Sequence, residues 1–233
     1  VKVDMIIHCA AVVSVPKSQI DPYSFYNFNI NSTLALANYC LKKNITKFIY
    51  LNTYGYGNKA SNPINESAQV IPHSHYTKSK YIAEKALFDF LGEHTEVISL
   101  RIFNLYGLFQ PQTFLIPSII NQAQNSDEIS VNNTLTKRDY LYIKDLLNLI
   151  ENIIISSNVN GVFNVGTGVS NGADYIVQCL EKILNKTLIL KSANIHRPNE
   201  VIDCYADNKK AIMMFNWKIK FNIFDGLKDM LLK

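Results

Sequence analysis

Arginine is scarce in this chain. Of its 23 lysines and arginines only Arg101, Arg138 and Arg197 are arginine. A planar fork of donors, the group suited to bidentate contact with carboxylate or phosphate, is therefore confined to those positions. Long apolar runs are lacking too. None reaches the roughly 20 residues of a membrane-spanning helix, and the first residues do not show the charged, apolar and small-residue order of a secretory leader. The expected compartment is the cytoplasm, with no membrane partner. The cysteines Cys9, Cys40, Cys179 and Cys204 are scattered without a Cys-x-x-Cys spacing, which argues for reduced thiols and against a metal site. The histidines His8, His73, His75, His94 and His196 show no ligand spacing either. A net charge of +4 is too small and too dispersed for a nucleic-acid partner, although it would not repel a phosphorylated small molecule. Internal repeats and low-complexity linkers are absent.

What is present is a chain of 233 residues, 48% hydrophobic and 18% charged. That is the composition of a soluble globular protein, long enough for one large domain or two small ones. Asp4 to Val13 is a short continuous apolar run, the pattern of a parallel strand buried on both faces. A start at valine implies a chain that begins inside a longer product. From Asn29 to Lys43 the apolar residues recur at helical spacing, and Lys47 to Thr53 reads as a second buried strand; strand, helix, strand is a βαβ unit. A glycine-containing polar loop follows, then a helix after Ser74 that ends near Gly92, and a strand over Val97 to Phe103. This alternation predicts a doubly wound sheet. Beyond Gly107 the pattern loosens. It predicts helices near Ile116 to Ala123, Lys144 to Ser156, Ala173 to Leu184, Asp207 to Phe215 and Ile223 to Leu232. Short strands are expected near Ile129 to Val131, Asp139 to Ile143, Gly161 to Val165 and Leu188 to Lys191.

The helix after Ser74 carries Tyr76 and Lys80, which at four residues apart share a face. A free tyrosine has a pKa of about 10, so roughly one in a thousand is ionised at neutral pH. Bringing it near 7 needs about 4 kcal/mol, and one positive charge at about 6 Å in an effective dielectric of about 20 supplies about 3. A second positive charge, such as an oxidised nicotinamide ring, would complete the shift. The pair would then suit removal of a proton from an alcohol whose hydride is leaving. On spacing alone the alternative is an ordinary exposed helix face.

Further short motifs stand around this pair: Ile7-His8-Cys9-Ala10-Ala11, Asn29-Ile30-Asn31-Ser32-Thr33, Leu100-Arg101-Ile102-Phe103-Asn104-Leu105-Tyr106-Gly107, Arg138-Asp139-Tyr140, Asn164-Val165-Gly166-Thr167-Gly168 and Arg197-Pro198. Each is weak alone. Their order and spacing, with Tyr76-Thr77-Lys78-Ser79-Lys80, resemble the extended short-chain dehydrogenase/reductases, in particular the NAD-dependent epimerase/dehydratase family acting on nucleotide sugars. The resemblance runs from Asp4 nearly to the C-terminus.

The resemblance implies an α/β fold: a doubly wound parallel-sheet, Rossmann-like domain, here without its N-terminal strands, over residues 1–106 and about 139–166. A smaller α/β substrate-binding lobe would take about 107–138 and 167–233. It implies Tyr76 as acid/base, Lys80 lowering its pKa and holding the nicotinamide ribose, and Thr53 orienting the reacting oxygen. The segment Thr53-Tyr54-Gly55-Tyr56-Gly57 is one residue shorter than the family's usual spacing, and an ungapped match would put Asn52 in that role; the plain alternative for Thr53 is a strand-end cap. Cofactor contacts are expected from Ala10, Ala11, Asn29, Asn104, Tyr76 and Lys80, and substrate contacts from Thr53, Asn104, Arg138 and Arg197. Arg101 is expected in a buried structural ion pair. Arg197-Pro198-Asn199-Glu200 departs from the family's Arg-Pro-Gly-Asp, so the geometry of that loop is open. The Gly166-Thr167-Gly168 turn has the wrong spacing for a dinucleotide loop.

No Gly-x-x-Gly-x-x-Gly precedes Asp4, although the family's pyrophosphate site is a glycine-rich turn at the first strand. Two linked βαβ units sharing a strand, at about 30 residues each, would add about 60 residues, and the expectation is that they are missing. Met5 to Ala10 would then be an open apolar sheet edge. The expected cofactor is NAD, with NADP not excluded. The expected activity is NAD-dependent nucleotide-sugar epimerisation or 4-ketoreduction, with a nucleotide-sugar substrate and a homodimer as the possible partner. The alternatives are a dehydratase of the same family, disfavoured because Tyr54 and Gly55 stand where an acidic pair would follow the threonine, and a catalytically silent binding protein that keeps the fold.

Overall fold

A computed structural model describes residues 2–57, 60–92, 94–195 and 200–232. The first half runs β1 (Met5–His8), α1 (Val15–Ile20), α2 (Pro22–Lys43), β2 (Lys47–Thr53), α3 (His75–Leu91), β3 (Glu96–Ile102), β4 (Asn104–Tyr106) and α4 (Leu115–Asn125). Then follow β5 (Glu128–Val131), β6 (Lys137–Tyr142), α5 (Ile143–Ile155), β7 (Gly161–Val165), β8 (Ser170–Asn171), α6 (Ala173–Leu184), β9 (Ile189–Ser192), β10 (Asp203–Cys204), α7 (Lys209–Phe215) and α8 (Ile223–Leu231).

Two compact units divide the chain. The first comprises Val1–Ala60, Glu66–Ile102 and Ser156–Asn164. Its strands lie in the order β1-β2-β3-β7, with β1 and β3 both parallel to β2. Among the described residues β1 has β2 as its sheet neighbour and stands at the edge. The central strand is apolar because both its faces are covered: Phe48, Ile49 and Tyr50 are fully buried. Helices α2 and α3 close one face through Ala37, Cys40, Ala83, Leu87 and Leu91, which pack with Ile6, Phe48, Tyr50 and Val97.

The apolar run from Asp4 to Val13 is strand only as far as His8; beyond it the chain reaches α1 and an early start to α2, which apolar periodicity does not mark. Polar caps do mark them. Ser14 accepts a hydrogen bond from the Lys17 N–H ahead of α1, and Asp21 accepts from Ser24 ahead of α2, with Pro22 in the first turn.

The second unit comprises Ser61–Asn65, Phe103–Ile155 and Val165–Lys233. It holds β10, β6 and β4 in parallel, β8 antiparallel on β6, and the parallel pair β5 and β9. Its core gathers Ile116 and Ile119 of α4, Ile176 and Leu180 of α6, and Ile223 and Leu227 of α8 around Tyr106, Ile129 and Tyr142. The sequence-based division, 1–106 with about 139–166, draws the boundary elsewhere. The physical reason is pairing: Asn104 to Tyr106 run beside Tyr140 to Tyr142 instead of extending β3, so the chain leaves the first sheet after Ile102 and β6 and α5 go with the second unit. Among the described residues no helix is long and apolar enough to cross a membrane.

Candidate active site

Helix α3 begins with a capping box. Ser74 Oγ accepts from the Thr77 N–H at 3.2 Å and Thr77 Oγ1 accepts from the Ser74 N–H at 3.2 Å, which fixes the first turn and with it the direction of Tyr76. The helix buries Ala83, Leu87 and Leu91 against the sheet. Tyr76 is half-buried, with its ring edge-on to Phe25 of α2 at 6.3 Å. Burial pushes its phenol above the usual tyrosine range, and a hydrogen bond with the Thr53 side chain works against that rise.

Lys80 is buried, with its ammonium 4.0 Å above the centre of the Tyr50 ring. No carboxylate among the described residues lies within ion-pair distance of it. Burial brings its pKa down to about 7, while Cys9 and Glu84 pull it back up. The spacing alone predicts a fully charged ammonium, and here the structure differs. A lysine taken out of water holds its proton weakly, so Lys80 gives up its proton far more readily than a free lysine.

This shift has a consequence for stability. The folded-state pKa of Lys80, about 7, lies below the unfolded value of about 10.4. Between those values the unfolded chain binds the extra proton, so this residue makes stability rise with pH across that window and opposes folding fully below it. Lys80→Met is expected to flatten the rise in melting temperature between pH 7 and about 10 and to remove turnover. Unchanged pH dependence of melting in the variant would contradict the assignment.

Asn52 and Thr53 are adjacent but differently engaged. Asn52 is buried and donates from Nδ2 to Glu84 Oε2 at 2.7 Å, while its Oδ1 accepts from the Thr53 N–H at 2.8 Å. Thr53 is half-exposed at the carboxyl end of β2. Beyond it, Gly57 has φ +72° and a Cβ there would meet the Ile71 carbonyl at 2.8 Å, so only glycine fits this close approach of two backbones.

Beneath Tyr76 and Lys80 lies a polar network around the buried ion pair expected of Arg101, whose partner the motifs do not announce. Arg101 of β3 forms a buried ion pair with Glu84 of α3: Nη2 donates to Oε1 at 2.6 Å and Nε to Oε2 at 3.1 Å. Ser99 also donates to Glu84, at 2.7 Å. Arg101 Nη1 donates to Tyr56 Oη at 2.9 Å, and that hydroxyl donates to Asn164 at 2.6 Å. The signal for Glu84 was present in the sequence: it stands four residues after Lys80, an acid on the buried face that also carries Ala83, Leu87 and Leu91.

At the end of β1, Ala10 is exposed and Ala11 half-exposed. Asn29 is buried, and its amide is taken up locally. Oδ1 accepts from the Val12 N–H at 2.9 Å, and Nδ2 donates to Val12 O at 3.2 Å and Ser79 Oγ at 2.9 Å. It shapes the segment that follows Ala10 and Ala11. His8 is buried against Thr33 at 3.0 Å, and burial brings its pKa down to about 4, so it is neutral at physiological pH.

The remaining candidates belong to the second unit. Asn104 begins β4 and is half-buried. Arg138, on β6, donates to the Lys137 carbonyl at 2.8 Å and lies 3.9 Å from Glu200. Arg197 falls outside the described residues. Asp139 is fully buried and accepts from Thr167 N and Oγ1, both at 2.7 Å, from Gly168 N at 2.9 Å and from Ala206 N at 3.1 Å. The N–H groups of the Gly166-Thr167-Gly168 turn thus serve a carboxylate of the chain itself, and a Cβ on Gly166 would meet Asp139 Oδ2 at 2.4 Å.

A parallel sheet in the order β1-β2-β3-β7 with helices packed on it defines the class, a doubly wound nucleotide-binding α/β fold. The chain belongs to the NAD dependent epimerase/dehydratase family, whose model matches residues 1–166. It is 26% identical over 240 residues to a UDP-glucose 4-epimerase of Rhizobium meliloti (strain 1021), covering 94% of this chain and 73% of that relative. It is 31% identical over 180 residues to a dTDP-D-glucose 4,6-dehydratase of Dictyostelium discoideum, covering 71% of this chain and 42% of the relative. The structure superimposes with a TM-score of 0.88 on the UDP-glucose 4-epimerase of Bifidobacterium longum in complex with NAD+ and UDP, at 26% identity over 98% of this chain and 75% of the other.

Proposed function

We propose that the full-length protein is an NAD-dependent nucleotide-sugar epimerase or 4-ketoreductase that uses Tyr76, Lys80 and Thr53 at a sugar ring carbon. One observation carries the reading: Tyr76 and the buried Lys80 lie one turn apart on one face of α3, and the Thr53 side chain at the end of β2 works against the rise that burial causes in the phenol's pKa. Tyr76 Oη takes the proton of the sugar hydroxyl and returns it. Thr53 Oγ1, able both to donate and to accept, orients the reacting oxygen. Lys80 Nζ favours the phenolate.

The chain's own residues fit the nicotinamide end of NAD. A buried ammonium with no carboxylate partner among the described residues suits ribose hydroxyls, and the exposed Cys9 and Ala10 with the half-exposed Ala11 leave the backbone at the carboxyl end of β1 open, held by Asn29. When bound, NAD would supply the acceptor of the hydride and, in its oxidised ring, a positive charge. Asn104 is proposed to face the nicotinamide or the sugar, and Arg138 and Arg197 the diphosphate.

Elimination is the second reading, favoured by the likeness to the Dictyostelium dehydratase. It ranks below epimerisation and reduction because Tyr54 and Gly55 follow Thr53, where the resemblance implies an acidic pair in a dehydratase. The reading is tested by incubating the full-length protein with NAD and a set of UDP- and dTDP-hexoses. Formation of an epimer, or reversible oxidation at a ring hydroxyl, is expected; release of water with a deoxy-keto product would move the protein to the dehydratases.

Arg138→Lys should weaken binding of UDP about tenfold, the equivalent of one charge-assisted hydrogen bond at about 1.4 kcal/mol, and leave binding of the free sugar unchanged. The ammonium keeps the charge but loses the fork. Calorimetric titration returning equal losses for both ligands would make Arg138 a structural residue, bound to Glu200 and the backbone.

A further inference from the structure

We propose that Glu84 is a positioning residue of the catalytic centre, setting the Thr53 hydroxyl against the Tyr76 phenol through the side chain of Asn52. The inference rests on the reading of Tyr76, Lys80 and Thr53 given above. Tyr76, Lys80 and Glu84 follow one another at intervals of four on α3 and share its face. Glu84 turns into the core and is fully buried. Its Oε2 accepts from Asn52 Nδ2, and Asn52 Oδ1 accepts from the backbone N–H of Thr53. The helix that carries the base therefore also grips the strand residue that carries the hydroxyl.

Charge neutrality does not require this grip. Arg101 gives a hydrogen bond to each oxygen of Glu84, and Ser99 gives a third to Oε2. The carboxylate would be satisfied from β3 alone. What the Asn52 bond adds is a tie to β2. Thr53 is the last residue of that strand, where the ladder to β3 ends with Tyr54 N reaching the Ile102 carbonyl at 3.3 Å. Strand ends move more than strand centres, and a misplacement of about 1 Å at a reacting group can cost about a hundredfold in rate. Asn52, engaged at both ends of its amide and buried, has no room to relax. Arg101 in turn is held by Tyr56 and Asn164, so the anchor of the grip is itself fixed.

A kinetic double-mutant cycle between Asn52→Ala and Thr53→Val, in the full-length protein with NAD and a nucleotide sugar that it turns over, tests the proposal. Asn52→Ala leaves the Glu84–Arg101 pair whole, so the variant keeps its buried charges matched. With Thr53 present, it is expected to lower kcat about tenfold, or about 1.4 kcal/mol of barrier, with KM unchanged and a smaller loss than Thr53→Val itself causes. In the Thr53→Val background the same substitution should lower kcat by less than about twofold, because the hydroxyl that it positions is gone. Glu84→Gln should show the same dependence on background; if that variant does not fold, the Asn52 arm decides alone. Equal losses in both backgrounds, or no loss with Thr53 present, overturn the proposal. A parallel Tyr76→Phe arm separates the two levels. Loss of turnover there with additive Asn52 effects refutes the positioning role only, whereas normal turnover in Tyr76→Phe, or no turnover of any nucleotide sugar by the wild type, refutes the reading of the centre and this inference with it.

Discussion

Tyr76→Phe in the full-length protein is expected to lower kcat by about 10²- to 10⁴-fold, the range for removing a positioned acid/base group, while binding of the nucleotide sugar stays within about twofold of wild type. The phenol oxygen acts when the proton moves, and the aromatic ring that packs edge-on to Phe25 is kept in phenylalanine. The variant therefore separates chemistry from packing. Burial already holds the Tyr76 phenol above its ordinary pKa, against the smaller pull of the Thr53 side chain. The wild-type rate should accordingly rise with pH until the tyrosine is ionised in the complex. Steady-state kinetics and calorimetry measure the two quantities, and near wild-type kcat would end the assignment.

The second large effect is on stability. Arg101→Met is expected to destabilise the folded protein by about 3 to 5 kcal/mol, because it leaves the buried Glu84 carboxylate without its ionic partner. Both side chains of the pair are nearly inaccessible, at 5% and 1%, so water cannot replace the lost partner. Urea denaturation measures the loss through the midpoint. Adding Glu84→Gln to Arg101→Met should recover part of it, since the orphaned charge is then removed. A single variant within about 1 kcal/mol of wild type would show that the network is not what holds α3 on β3.

The sequence made the two layers of the first unit legible because its strands are short, apolar and bounded. Lys47 to Thr53 is strand over its whole expected length, and α3 starts after Ser74 and ends before Gly92, at φ +55°, as its cap residues indicate. The strands β4, β8 and β10 were not legible. They are two or three residues long, too short to show an alternation, and tertiary pairing with β6 creates them.

At the site, the Tyr76 and Lys80 spacing was readable, but the choice between Asn52 and Thr53 was not. It depends on which of two adjacent side chains turns toward Glu84, and Glu84 stands 31 and 32 residues further along the chain. The charge state of Lys80 was not readable either, because burial lowers its pKa more than Cys9 and Glu84 raise it, and burial is set by the tertiary packing.

The most direct test of the central claim follows a deuterium atom. The full-length protein is given NAD and a nucleotide hexose deuterated at C4, and the position of the label in the product is read by NMR and mass spectrometry. Hydride transfer at that ring carbon, with Tyr76 handling the hydroxyl proton, should return the deuterium to C4 of both epimers or leave it on the nicotinamide, and Tyr76→Phe should abolish the movement. Label appearing at C6 would mean elimination, label washing into water would mean proton chemistry at C4 without hydride transfer, and undiminished transfer in Tyr76→Phe would place the acid/base group elsewhere.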